Sequence, residues 1–424
     1  MPDGAAPAPE ARSVLPEAEL PLQRYPACQI YVSLVLSHAE FFLQIQERNE
    51  SDTFIIYLAS DNQIMHARLK VHVLMNGPTI PSEYVSIQYL RAFAALSVVV
   101  VHLQPQLERM GQPDTWFYQP IGGVDILFVI GGFIMWRTTL GKQQSPGAFF
   151  LRRFWRIVPL YWLFTAFMLL VMLIAPRLVQ SARFDPWHVL ASFAFIPYPN
   201  PATGTMEPLL IPGWTLNYIM FFYLLFSAAL LIPEEKRLHA FSALLLSIVA
   251  LQVLSPAPAT PLSFYTSSII LEFLLGMWLC AWHLRSQWRP NATVCLVLLI
   301  CACLAIGVLP HRWPDLPRIL SLGLPAAIML AAALGLERAG RVPRAPGIKL
   351  LASASYSLYL SHPLVLSAFG QLWRRIFPTN SDVLQWAFSL TAVAVCVLVA
   401  IVIYRTIERP LVTSRPLARA LQAK

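Results

Sequence analysis

The sequence predicts an all-α integral membrane protein: a bundle of about ten transmembrane helices with a disordered N-terminal extension. Three observations carry that reading. The 424 residues are 57% hydrophobic and only 12% charged, against about 25% charged in soluble domains. The apolar residues gather into runs of roughly twenty, the length a helix needs to cross the hydrocarbon core. Arginine and lysine concentrate in every second link between those runs, the pattern of a multi-pass protein under the positive-inside rule.

Residues 1–84 differ from the rest. They hold ten acids and five bases, whereas the remainder holds twelve acids and twenty-six bases. The opening "MPDGAAPAPEARSVLPEAELP" is rich in Ala, Pro and Glu, a composition that buries too little apolar surface to order itself. "DTFIIYLAS" is apolar but too short to span a bilayer. No basic segment precedes an apolar core, so no signal peptide is expected. Met75 opens "MNGPTIPSEYVSIQYLRAF", a natural start just ahead of the first span. Residues 1–74 are therefore expected to reflect a reading frame opened too far upstream. The expected organisation is an extension (1–84), a transmembrane domain (85–410) and a basic cytoplasmic tail (411–424).

The spans fall near 86–105, 121–139, 156–175, 214–232, 238–255, 267–283, 293–309, 318–336, 349–370 and 384–405. "WHVLASFAFIPY" (187–198) is too short and is expected at the interface or as a re-entrant segment. The link after span 2 carries Arg137, Lys142, Arg152, Arg153 and Arg156; "EEKR" follows span 4, and Arg285 and Arg289 follow span 6. Arg338, Arg341, Arg344 and Lys349 follow span 8, and the tail holds Arg405, Arg409, Arg415, Arg419 and Lys424. The other links are poorer in base. Both termini are thus expected in the cytoplasm, with the chain in the cell inner (plasma) membrane.

The net charge of +9 is accounted for by these links and by contact with membrane lipids, not by nucleic acid. The six cysteines, Cys28, Cys280, Cys295, Cys301, Cys303 and Cys396, show no metal-site spacing. No metal is expected, and those in apolar runs read as small buried hydrophobes.

"SIQYLRAFAALSVVVVHL" (86–103) carries Arg91 and His102 inside an apolar run. Eleven residues make about three turns, so both share one face, roughly 16 Å apart along the axis. A snorkelling arginine and an edge histidine are one account of them; a polar cavity inside the bundle is the other. Asp125 in "GGVDILFVIGGFIMW", Glu272 in "IILEFLLGMW" and His362 in "SYSLYLSHPLVL" are expected at a depth like that of His102. Four such groups on four helices suggest one polar site. A histidine beside a carboxylate is the minimum for a general base, and also for a proton-coupled transporter. On the cytoplasmic side "FFLRRFWRIVPLYW" brings Arg152, Arg153 and Arg156 to the mouth of span 3. Guanidinium forks suit phosphates, although basic residues there also anchor a span to headgroups.

These stretches together resemble the membrane acyltransferase 3 family. The resemblance rests on Arg-x10-His in span 1 (Arg91, His102), on "GVDILFVIGGF" with Asp125, on the Arg152–Trp162 segment with Pro159, Tyr161 and Trp162, and on "SYSLYLSHPLV" with His362. It covers roughly residues 85 to 410 and looks most like the exopolysaccharide acetyltransferase branch. It implies an O-acyltransferase that moves an acyl group, usually acetyl, from cytoplasmic acetyl-CoA to a hydroxyl of an exported polysaccharide or lipid-linked glycan. His102 would be the general base and Asp125 would orient it. Arg91 would stabilise the pantetheine arm or developing negative charge. His362 and Glu272 complete the implied catalytic set. Arg152, Arg153 and Arg156, with Tyr161 and Trp162 beside them, would hold the CoA. Two positions depart from the family pattern. Ile219 stands where the family usually has Glu, and Gly131 where it usually has Ser. A proton-coupled glycan or lipid transporter and a catalytically weakened family member stay open at this point.

Overall fold

The computed structural model describes residues 30–36, 39–47, 54–60, 63–69, 83–111, 122–175, 183–254, 260–286, 290–377 and 381–413. The opening twenty-one residues, the start at Met75, Cys28 and most of the basic tail lie outside the described residues. The chain divides into two compact units, Met1–Pro81 and Ser82–Lys424.

The first unit corrects one expectation. The extension is not structureless throughout. It holds a four-stranded antiparallel meander, β1 (Ile30–Leu36), β2 (Ala39–Glu47), β3 (Phe54–Ser60) and β4 (Gln63–Leu69), in sequential order. "FIIYLAS", too short for a span, is β3. It pairs with Phe42–Glu47 on one edge and with Gln63–Leu69 on the other. The first three runs are rich in β-branched and aromatic residues, which favour a pleated strand.

Every described element of the second unit is helical. In order they are α1 (Val85–Val101), α2 (Gln104–Glu108), α3 (Gly123–Thr139), α4 (Pro146–Ile174), α5 (Pro186–Ala194), α6 (Gly213–Ala229), α7 (Glu234–Leu254) and α8 (Pro261–Tyr265). Then follow α9 (Ile270–Arg285), α10 (Ala292–Arg312), α11 (Leu324–Arg338), α12 (Pro346–Ser353), α13 (Ser355–Ile376), α14 (Asp382–Ile403) and α15 (Arg409–Thr413). A π-helical turn, Ile319–Gly323, leads into α11, and another, Tyr404–Glu408, continues α14.

Six helical stretches among the described residues are long and apolar enough to cross a membrane: Val85–Glu108, Pro146–Ile174, Pro261–Arg285, Ala292–Arg312, Ile319–Arg338 and Asp382–Thr413. Gly213–Ala229 is apolar but shorter. By that measure the expected count of about ten is not reached. Helices do occupy the other expected positions. However, α3 has 17 residues with Asp125 and Arg137, α7 opens on "EEKR", and α13 carries Arg374 and Arg375 in its last turn.

Two local devices fix the helices that matter for function. Glu337 caps α1: its carboxylate accepts from the backbone N–H groups of Val85 and Ser86, both at 2.8 Å. A negative group at a helix N-terminus satisfies orphan donors and opposes the macrodipole. Ser145 caps α4 by accepting from Ala148 N–H at 3.3 Å, with Pro146 in the first turn, the arrangement that starts a helix most readily.

The core forms where α3 meets α9. A Cβ on Gly132 would lie 1.9 Å from the Phe273 carbonyl oxygen, and one on Gly276 would lie 1.9 Å from that of Val129. Only glycine allows backbones this close, a device common between membrane helices. Phe273 then stacks on Phe128 at 4.6 Å and on Phe222 of α6 at 4.2 Å. α1 packs on α3, α11, α12 and α13. α10 turns apolar side chains such as Leu296, Ile300 and Leu304 outward. Cys301 and Cys303 lie exposed on α10, against the expectation of burial, while Cys280, Cys295 and Cys396 are buried.

Gly276→Ala should therefore force α3 and α9 apart. Overpacking of this kind costs about 3 kcal/mol at the upper end of its range. The expected result is a lowered midpoint in thermal unfolding of the detergent-solubilised protein. An unchanged midpoint would show that the two helices have slack at this contact.

Candidate active site

α1 ends at His102, its C-cap, and the side chain turns back on its own helix. Nδ1 lies 2.8 Å from the Val98 carbonyl oxygen. His362, fully buried in α13, does the same with Leu358 at 3.2 Å. A carbonyl only accepts, so each Nδ1 carries the hydrogen and each neutral Nε2 presents a lone pair. The rings meet edge to face, centroids 4.8 Å apart at 70°. Nε2 of His362 has no hydrogen-bond partner among the described residues. Two bases thus stand together, one at the C-terminal end of α1 and the other in the first half of α13.

The carboxylates lie elsewhere. Asp125, expected to orient His102, is gripped by Arg318: Nε lies 2.9 Å from Oδ1, and a terminal nitrogen donates to Oδ2 at 3.0 Å. Glu272 Oε1 lies 3.8 Å from the same Nε. Both acids are buried, at 1% and 0% exposure. The physical reason is twofold. The guanidinium fork matches a carboxylate's two oxygens, and backbone carbonyls already fix both imidazoles. The four groups expected in one site are therefore two pairs, His102 with His362 and Asp125 with Glu272. Sequence reasoning missed Arg318; the signal was an arginine at the very start of span 8, after a link whose one other arginine is Arg312.

A cavity of about 220 Å³ opens between α1, α3, α4, α6 and α13. Arg91, Arg153 and Arg156 line one part of it, together with Glu408. Arg91 donates to Ser355 Oγ at 3.0 Å, and Arg153 donates to Thr138 Oγ1 at 2.7 Å. Arg156 makes no hydrogen bond or salt bridge among the described residues. Three guanidinium groups face one carboxylate, which leaves an anion-seeking excess. Apolar side chains, among them Leu127, Phe128, Ile134 and Phe273, line it as well. Thr215 and Tyr359 also line it.

Both departures from the family pattern, Gly131 and Ile219, face this cavity. The Arg152–Trp162 segment, expected to act as one, divides. Arg152 turns away to Gln144. Tyr161, fully buried, donates to the Ser192 carbonyl at 3.0 Å, and Trp162 donates to that of Phe193 at 2.9 Å. These aromatics hold α5, the short segment near 187–198, against α4. Glu408 was also missed, because it sits among tail bases and reads as one more loop charge.

Residues 84–405 match the acyltransferase 3 family model, described as an acyltransferase domain. The exopolysaccharide production protein ExoZ of Rhizobium meliloti (strain 1021) is 36% identical over 297 residues, covering 68% of this chain and 88% of that protein. No solved structure matches.

Removing Arg318 would leave two buried carboxylates side by side with no counter-charge. Arg318→Ala should destabilise the protein by about 3 kcal/mol, read as a fall in the unfolding midpoint. Adding Asp125→Asn and Glu272→Gln should recover most of it. Arg318→Ala melting at the wild-type temperature would mean that the acids need no cation.

Proposed function

The chain belongs to the membrane acyltransferase 3 family, and from that premise we propose that it is an O-acetyltransferase drawing on cytoplasmic acetyl-CoA and acting on a hydroxyl of an exported polysaccharide. One observation carries the reading: a cavity with three arginines is bordered by Tyr359, which adjoins a pair of histidines with bare Nε2 atoms. The excess of guanidinium over carboxylate suits the phosphates of coenzyme A. The apolar lining residues suit its pantetheine arm. Acetyl-CoA supplies the acyl group as a thioester.

His102 Nε2 takes the proton of the acceptor hydroxyl as that oxygen bonds to the acyl carbon. His362 borders the imidazolium and offers a second basic nitrogen. As the carbon–sulfur bond breaks, the imidazolium returns its proton to the departing sulfur. Arg153 and Arg156 anchor the donor, and Arg91 adds positive charge along its path. The Arg318–Asp125 ion pair seats α3 and is assigned to architecture. The ExoZ relative supports an exported polysaccharide as acceptor. The arginine-rich links support an inner-membrane location with both termini in the cytoplasm. The three arginines gathered on one cavity favour a phosphate-bearing donor over a transporter, which needs no such cluster.

Two outcomes are expected. His102→Ala should abolish CoA release driven by a panel of glycans while the protein stays folded in detergent. Arg153→Ala or Arg156→Ala should weaken acetyl-CoA binding by roughly 1.5–3 kcal/mol in calorimetry, the range for a lost charge-assisted bond. Turnover that survives loss of His102 would sink the general-base role. Undiminished affinity in the arginine variants would reduce Arg153 and Arg156 to membrane anchors.

A further inference from the structure

The cavity and the histidine pair are neighbours, yet neither His102 nor His362 is among the residues lining the cavity. Tyr359 is what they share. It lines the cavity, and its ring centroid lies 6.0 Å from that of His362. The ring is buried, and its hydroxyl is tied to the start of α6. Thr215 Oγ1 lies 2.8 Å away, and the Pro212 carbonyl accepts from the hydroxyl at 3.1 Å. Thr215 in turn donates to that carbonyl at 3.0 Å. One aromatic side chain on α13, fastened at its tip to α6, thus adjoins both the cavity and the buried ring of His362. The backbone beneath it is weakened. Pro363 lies inside α13 and has no amide hydrogen for the carbonyl of residue i−4, which is Tyr359 itself. The helical ladder is interrupted at the residue that carries the ring.

We propose that Tyr359, latched to Thr215 and Pro212, is a gate that keeps a thioester in the cavity away from the His102–His362 pair until an acceptor is in place. The proposal rests on the donor reading above. Its chemical purpose is to suppress a side reaction. With the ring aside and no sugar present, the same base can act on water. The water oxygen then bonds to the acyl carbon, the carbon–sulfur bond breaks, and the water proton passes through the imidazole to the sulfur. The products are the free acid and CoA thiol. Tyr359 is a positioning residue here, because it touches neither reacting atom in this chemistry.

The test needs no acceptor. Purified full-length protein in detergent is given acetyl-CoA alone, and free thiol is followed with a thiol-reactive dye. Calorimetry measures CoA affinity on the same samples. Tyr359→Phe keeps the ring and removes the latch. It should raise acceptor-free thiol release about tenfold, the scale of one net hydrogen bond, with CoA affinity and unfolding midpoint little changed. Thr215→Val should shift the rate the same way by less. Adding His102→Ala to Tyr359→Phe should return release to background, which a merely loosened fold would not do. Thiol release at the wild-type rate in both latch variants, with CoA still bound, overturns the gate. A rise that persists without His102 overturns it as well. Failure of the wild type to bind acetyl-CoA overturns the donor reading, and the gate falls with it.

Discussion

The backbone contact between α3 and α9 is the constraint on which the rest of the transmembrane unit depends. Gly132 and Gly276 let two helices touch main chain to main chain, where a single methyl group would not fit. That approach brings Asp125 and Glu272 within reach of one guanidinium. It also sets the ring of Phe273 against Phe128 and Phe222, and so builds the apolar wall of the cavity. Gly131 completes that wall: a Cβ there would meet the Phe273 ring at 3.2 Å. Serine at this position, the residue of the family pattern, would narrow the cavity as well as add a hydroxyl.

Charge in the bundle is handled in two different ways. Asp125 is buried in an ion pair with Arg318, and the pair is self-contained apart from the neighbouring Glu272. Such burial is strongly penalised when either partner is removed, which suits an architectural role. The arginines of the cavity are the opposite case. Arg91 and Arg153 spend single bonds on hydroxyls, Ser355 and Thr138, and Glu408 is shared with Ser357. Positive charge there exceeds what the protein neutralises, and a phosphate-bearing ligand would balance it. The histidines belong to neither scheme, since only backbone carbonyls orient them. The Nε2 of His362 has no hydrogen-bond partner among the described residues.

Much of this was legible in the chain. Helix covers all ten expected positions, with 349–370 divided between α12 and α13, although six stretches among the described residues are long and apolar enough to cross a membrane. Arg91 and His102 share a face by helical arithmetic alone. Of the motif residues, Asp125 and His362 are buried, and His102 lies beside His362. The sequence is less informative about the helices that count as spans. α3, α7 and α13 combine apolar faces with ionisable groups, and their fitness to cross a membrane depends on which neighbours cover those groups. In the extension, four short β-rich runs read singly as fragments; they become a meander only by pairing with one another.

What the sequence determined by itself is the class of protein and the kinds of chemistry available. Composition, run length and loop charge are sums over residues, and they need no knowledge of neighbours. Tertiary structure alone decided the partnerships. Asp125 went to Arg318, 193 residues away, and not to His102. Tyr161 and Trp162 went to the α5 backbone and not to the cavity. Tyr359 met Thr215 across 144 residues. A hydrogen bond or ion pair depends on distances of a few ångströms. Helical periodicity fixes such distances only within one helix, so contacts between helices are set by packing, which here turns on two glycines.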